Sequence, residues 1–517
     1  MHTKTILHIN VYSQTMKRTV VLLILDGWGV GLRDITNAIH AAAPANFTDL
    51  ARRYPSGALL SHGIAVGLPW ETAGTGESGH RTIGAGQTVY QTSVKIALSI
   101  RDGSFLDNTV LRTALTGTAK AKGTVHFVGS VSEKTADGSA ERLRALITLA
   151  ERMGIPRVRV HMLLGGADAG PRSALTAMKA VPWSDTVRLG SLIGRYYATD
   201  GDEKKNTAAK DAILGIGTKT DDPETYLHDF YLHGMEDVFT EPATVGPDPR
   251  GVEENDAVIF FDCDGHAIQT LVRLIAEGSD VPKNISVATL ADYGLGATAP
   301  AAFADDQPQK TLGDVLAENG KIQFRIAETC RYPHVTRFMN GLTDTPLKNE
   351  YRILVPAENV ARKDERPEMM TKEIADRGIA AIEEGADFVV INFAAPDVMA
   401  HTGNFEAVKK AVLAADRELG NVVKATLARN GALIVTADHG NAERMRHPVS
   451  GAPETGHNVN PVPVLLVAAE LEKPPTAIVP SYEGTTGLLT DIAPTVLALM
   501  GLPKPQEMTG SSLIGRL

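Results

Sequence analysis

The sequence predicts an α/β protein, a doubly wound, mostly parallel sheet with a second α/β domain inserted into it, and three observations carry that expectation. Continuous aliphatic runs occur at 19–25 (TVVLLIL), 388–393 (FVVINF), 432–437 (ALIVTA) and 462–467 (VPVLLV). Runs of this length without polar alternation read as strands buried on both faces. Between them lie stretches with apolar residues near the 3.6 period, at 312–319 and 405–429, and strands alternating with helices give a doubly wound sheet. Three of the runs lead to an acid, namely Asp26, Asp397 and Asp438, and the fourth follows His457. Ligands of such sheets gather beyond the carboxyl ends of the strands, where these acids fall. The four runs are expected to share one parallel sheet.

At 517 residues the chain exceeds what one core holds, roughly 250–300 residues, so two domains are expected. The middle has its own alternation, strand-like at 125–131, 157–164 and 257–261 and helix-like at 140–152. Residues 17–90 and 305–517 then form one discontinuous domain and 91–304 an inserted one, with hinges near 87–92 and the polar, proline-bearing 304–309. Residues 1–16 read as an extension. Met16, followed by Lys17 and Arg18 just before the first strong strand, is read as an alternative start of translation, a disordered tail being the other reading.

A formal net charge of −10 gives no general attraction to nucleic acid or an anionic membrane, so a phosphorylated substrate would need local cations or metals. No apolar run approaches the roughly 18 residues of a membrane span, and the first residues lack a signal-peptide core. Cys263 and Cys330 are the only cysteines and stand far apart, which indicates neither a disulfide framework nor a zinc ribbon and points to the cytoplasm.

Chemistry concentrates in three C-terminal segments. PDVMAHTGNFE supplies Asp397 and His401, TADHGNAE supplies Asp438 and His439, and TGHNVNPVP supplies His457. Any one of these, taken alone, is more simply a helix cap or a satisfied polar residue. With Asp26 they make three carboxylates and three imidazoles at strand ends, a donor set suited to Mn²⁺ or Zn²⁺. Two such ions about 3.5–4 Å apart can clamp the attacking and leaving oxygens of an in-line phosphoryl transfer.

The strings LILDGWG, AVGLP, IGAGQTVYQ, GRYYA, RIAETCRYPHVT, PDVMAHTGNFE, TADHGNAE, NPVPVLLV and IAPTVLALMGLP, in order over nearly the whole chain, closely resemble cofactor-independent phosphoglycerate mutase, of the alkaline phosphatase superfamily. The resemblance implies a glycolytic isomerase that interconverts 2- and 3-phosphoglycerate and acts as a monomer. It further implies a discontinuous phosphatase-like domain holding two divalent ions, Mn²⁺ first with Zn²⁺ or Mg²⁺ as alternatives, and an inserted substrate-binding domain. One ion would be held by Asp397, His401 and His457, the other by Asp26, Asp438 and His439.

The chain departs from the family at the nucleophile. The segment 74–80 (GTGESGH) places Gly76 where the family has the serine that is phosphorylated, leaving Thr75 and Ser78 as displaced candidates and room for water. A serine restored at 76 is expected to raise phosphoenzyme formation. In the insert, Ser132–Asp137 lacks the family's catalytic histidine, and arginines are missing from 199–206 and 262–266. The substrate positions that remain are Asp168 and Arg331, the latter a lysine in the family, with Arg172, Lys204 and Lys205 as possible substitutes. Arginine's planar fork grips carboxylate and phosphate in a way Gly, Asp or His does not. Two further readings therefore stand beside the mutase: a metal-dependent phosphatase or phosphodiesterase acting on another ester, and a catalytically silent homologue that binds a phosphorylated ligand.

Overall fold

The computed structural model describes residues 18–131, 140–165, 170–199, 202–246, 250–263, 265–304, 307–360, 362–447, 450–476 and 484–517. Met16, Ser132–Asp137, Asp168 and residues 305–306 lie outside them. The chain forms two compact units, Met1–Tyr90 with Gln307–Leu517, and Gln91–Asp306.

The first unit is built on an eight-stranded sheet. Its strands in chain order are β1 (Val20–Leu25), β2 (Ser56–Leu60), β3 (Gln323–Glu328), β4 (Glu350–Val355), β5 (Phe388–Phe393), β6 (Ala432–Thr436), β7 (Val462–Ala468) and β8 (Gly487–Leu488). Across the sheet they run β4-β3-β5-β1-β6-β7-β2-β8. Every residue of β1, β5, β6 and β7 is buried, as continuous aliphatic runs require of strands covered on both faces. The four runs do share one sheet, but not one direction. β5 and β6 flank β1 in parallel, whereas β7 is antiparallel to both β6 and β2. A parallel return needs a crossover, usually a helix; among the described residues 440–461 there is none, and the chain doubles back.

Register decides which side chains meet. Ile24 pairs with Thr436, so Asp26 and Asp438, each two residues further on, emerge level. Leu25 pairs with Phe393, so the short helix Ala395–Ala400 that carries Asp397 begins beside Asp26. The helix Gly76–Ala85 packs on the π-helical turn His334–Phe338, so tightly that a Cβ on Gly84 would lie 2.1 Å from the carbonyl oxygen of Met339.

The second unit has its own eight-stranded sheet, parallel except where Val187–Gly194 meets Ala243–Val245. Inside it runs a buried polar chain: Asp256 bonds His126 Nε2 at 3.3 Å, His126 Nδ1 bonds His161 Nε2 at 2.9 Å, and His161 Nδ1 bonds Ser191 Oγ at 2.8 Å. Burial lowers the pKa of both imidazoles, that of His161 strongly.

Two predictions follow from this packing. Gly84→Ala forces the helix and the π-helical turn apart and costs about 1–3 kcal/mol, read as a lower urea midpoint; an unchanged midpoint would show the approach to be slack. For the histidines, the folded pKa lies below the ordinary 6.5, so the unfolded chain binds more protons and stability is lost as pH falls below that value. A His126→Gln, His161→Gln variant is therefore less stable at neutral pH but loses stability less steeply between about pH 6.5 and 5; equal slopes in pH-dependent urea titrations would refute this.

Candidate metal centre

Six side chains named from the sequence come together in the first unit as two groups, Asp397 with His401 and His457, and Asp26 with Asp438 and His439; in each, the potential ligand atoms lie within 4.8 Å of one another. Asp26 ends β1 and is followed by Gly27, whose φ of +68° and close approach to Asp397, 2.7 Å from its Cβ to a Cβ built there, exclude a side chain. Asp397 and His401 stand four residues apart and so share a helix face.

In the first group His457 Nε2 lies 3.4 Å from Asp397 Oδ1, His401 Nε2 lies 3.3 Å from Asp397 Oδ2, and the two Nε2 atoms are 3.1 Å apart. The opposite nitrogens are engaged by backbone carbonyls, His401 Nδ1 with Thr455 at 2.7 Å and His457 Nδ1 with Gly74 at 2.8 Å. With Nδ1 turned outward to a carbonyl, each ring points its Nε2 inward, the outer-shell arrangement that orients histidine ligands. Two Nε2 atoms this close to each other and to the Asp397 carboxylate are held together by a cation, whether a proton or a metal ion. The second group is wholly buried, and among the described residues Asp26 Oδ1 and both nitrogens of His439 have no hydrogen-bond partner. Unpaired buried polar atoms are costly, and atoms that converge in this way fit a divalent ion.

Arg331 links the groups. Its Nε donates to Asp26 Oδ2 at 2.8 Å and a terminal nitrogen donates to Asp397 Oδ2. Asn392 Nδ2 donates to Asp26 at 2.9 Å and Asn441 Nδ2 to Asp397 at 2.7 Å. Burial pushes the Asp26 carboxyl up, with Asp438 and Asp397 adding to the effect against Arg331. Burial acts the same way on the other two acids but is outweighed there: hydrogen bonds from His401 and His457 hold Asp397 well below the usual range, and His439, His80 and Arg331 lower Asp438. Beside this centre opens a cavity of about 430 Å³ that exposes Arg331, Arg362, Lys363 and His401.

The candidate nucleophiles are placed differently. Thr75 caps the helix Gly76–Ala85: its Oγ1 accepts from Ser78 N at 3.1 Å, Ser78 Oγ accepts from Thr75 N at 3.0 Å, and the two hydroxyls bond each other at 3.2 Å. Both are committed to a capping box. Nor does Gly76 leave room for water, because the imidazole of His334 fills that space: a Cβ at 76 would lie 2.6 Å from its Nε2. A serine there requires His334 to swing away.

In the second unit, buried Arg195 donates to Ser130 Oγ at 3.0 Å and lies 3.5 Å from the buried Asp262. Arg172 lies over Tyr231 and Lys205 over Tyr196, at 5.3 and 3.7 Å from the ring centroids. Sequence reading missed Asn392, Asn441, His80, His334 and Arg195. Asn392 carried a signal, a lone amide in an otherwise apolar strand; the others lay inside quoted motifs without one.

The arrangement makes a measurable claim about metal. Metal-stripped protein gains about 4 kcal/mol when Mn²⁺ is added at about 1,000 times its dissociation constant, seen as a rise in Tm, and Asp397→Asn with Asp438→Asn removes that rise. An unchanged Tm on adding Mn²⁺ to wild type would reject a shared ion site.

Residues 18–504 match the family model described as the metalloenzyme superfamily. The chain is 37% identical over 518 residues to the 2,3-bisphosphoglycerate-independent phosphoglycerate mutase of Clostridioides difficile (strain 630), covering 97% of this chain and 100% of that protein. It is 38% identical to the enzyme of the same name from Symbiobacterium thermophilum, covering 96% and 98%. Among solved structures it matches a Leishmania mexicana phosphoglycerate mutase, determined at low cobalt concentration, with a TM-score of 0.59 and 25% identity over 97% of this chain and 98% of that one. The two strand-end ligand groups thus sit in a chain that belongs to the metalloenzyme superfamily and, within it, to the 2,3-bisphosphoglycerate-independent phosphoglycerate mutases.

Proposed function

We propose that this chain interconverts 2- and 3-phosphoglycerate by phosphoryl transfer at a centre of two divalent ions, Mn²⁺ first, one held by Asp397, His401 and His457 and the other by Asp26, Asp438 and His439. The observation that carries the reading is the convergence of these ligands beyond the strand ends, in a chain akin throughout its length to enzymes of that name. When bound, the ions neutralise the phosphoryl group and orient it for in-line transfer. The protein's own residues then hold the substrate.

Arg331 has one terminal nitrogen that binds neither Asp26 nor Asp397, and it borders the cavity with Arg362 and Lys363. Arg331 and Lys363 supply, within the first unit, grip for a phosphate and a carboxylate, whereas Arg362 is held by Asp364. In the insert, the pairing of Arg195 with Asp262 leaves less positive charge free for substrate. A chain with only two cysteines, Cys263 and Cys330, far apart in sequence, agrees with a cytoplasmic setting.

A second reading, hydrolysis of a phosphate ester, is favoured by one observation: Gly76 has no hydroxyl, and those of Thr75 and Ser78 cap a helix. Incubating the Mn²⁺-loaded enzyme separately with 3-phosphoglycerate and with p-nitrophenyl phosphate tells the two apart. Interconversion without release of inorganic phosphate is expected; release of phosphate with no 2-phosphoglycerate would establish the hydrolase. Chelator should abolish turnover, and Arg331→Gln should lower kcat/KM for 3-phosphoglycerate about 10- to 100-fold.

A further inference from the structure

Beside the two ligand groups one imidazole is left without an assignment. His401, His457 and His439 belong to those groups, and His80 is held by the Gly76 carbonyl at 2.8 Å through Nδ1 and faces Asn392 through Nε2 at 3.2 Å. The Cys330 thiol is pushed by burial to a pKa of about 11 and is thereby kept protonated. The hydroxyls of Thr75 and Ser78 satisfy each other and the helix end. His334 makes no side-chain hydrogen bond to a described residue; its Nδ1 is buried without a partner, and its Nε2 lies 2.6 Å from where a Cβ of residue 76 would be. That point in turn is 3.6 Å from Asp438 Oδ2. The ring is fixed edge-on between His80 and Phe338, with centroids 5.2 and 5.0 Å away.

We propose that His334, through Nε2, is the phosphoryl acceptor of this centre, taking over the space and the task that a side chain at 76 cannot serve. The inference rests on the phosphoryl-transfer reading above. In the step, the substrate's ester P–O bond breaks as a P–Nε2 bond forms. The departing alkoxide takes a proton from water, and Nδ1 keeps its own. The return step gives the phosphoryl group to a hydroxyl of the same glycerate, whose proton goes to water, and frees Nε2. Imidazole is an established covalent nucleophile. Burial, with His80 and Arg331 nearby, lowers the pKa of His334 to about 3. The glycine and the histidine are one device: Nε2 can lie this close to position 76 because residue 76 has no Cβ.

The test uses the full, Mn²⁺-loaded chain and ³²P-labelled 3-phosphoglycerate, with ³²P-labelled p-nitrophenyl phosphate as a second donor, under rapid quench. The expected label is stable in alkali, lost in acid and mapped by mass spectrometry to His334. His334→Gln should abolish it and lower turnover by at least about 100-fold, while elemental analysis shows its metal content unchanged. An alkali-labile, acid-stable label on Thr75 or Ser78 overturns the proposal. So does the absence of label from both donors, turnover by His334→Gln within a few fold of wild type, or loss of metal from that variant, which would make His334 a ligand. Failure of the mutase reading looks different: an acid-labile label on His334 from p-nitrophenyl phosphate but no interconversion of phosphoglycerates leaves the acceptor standing and changes the substrate.

Discussion

Three carboxylates buried where parallel strands end, with a single guanidinium among them, set the terms for the first unit. The register of β1 with β5 and β6 brings Asp26, Asp397 and Asp438 together whatever their charge. Ionised acids out of water repel one another and lose hydration worth several kcal/mol each in real proteins. Arg331 offsets part of that, and the amides of Asn392 and Asn441 contribute hydrogen bonds without charge. The remaining imbalance is what a bound cation would relieve. Arg331 is thus both the resident counter-ion of the acids and their competitor for the same oxygens, so that an arriving ion and the guanidinium must share Asp26 and Asp397.

The fold was legible in the sequence because strands buried on both faces cannot be polar, and the four aliphatic runs had no other structure to form. Their common sheet could be read; the reversal of β7 could not, because direction depends on the path of the connection and not on the strand's own composition. The convergence of six side chains was legible for a related reason, since three Asp and three His gathered at the ends of apolar strands have few uses together. What stayed hidden depends on contacts between segments distant in sequence. Nothing near position 334 shows that its ring enters the space beside Gly76, and nothing in GRYYA shows that Arg195 faces Asp262.

The segment Gly74–His80 shows how a motif misleads when hydroxyls are counted without their bonds. Thr and Ser three residues apart at the start of a helix form a capping box, in which each side chain satisfies the other's backbone amide. That local use is complete in itself and leaves neither oxygen directed at the ligand groups. A change of one side chain at 76 therefore alters more than the presence of a hydroxyl: it opens a path for a residue from a different segment. The same logic holds in the insert, where an acid at 262 turns Arg195 from a free cation into half of an ion pair.

The order of strands has a consequence for how the chain is made. β1 lies between β5 and β6, yet more than three hundred residues, including the whole second sheet, leave the ribosome before either neighbour exists. During synthesis the second unit, whose strands all fall between Thr124 and Phe303, is complete while the first still waits for its middle, and domains generally fold as units in the order they emerge. Val20–Leu25 must be kept from wrong partners throughout that interval, with an apolar run and no sheet to hold it. Closure of the centre then reports on the chain as a whole, because Asp26 meets Asp438 and His439 only after β6 has been inserted beside β1. A nascent or truncated polypeptide ending before that strand lacks the second group, so that half of the centre cannot assemble until Asp438 and His439 have been made.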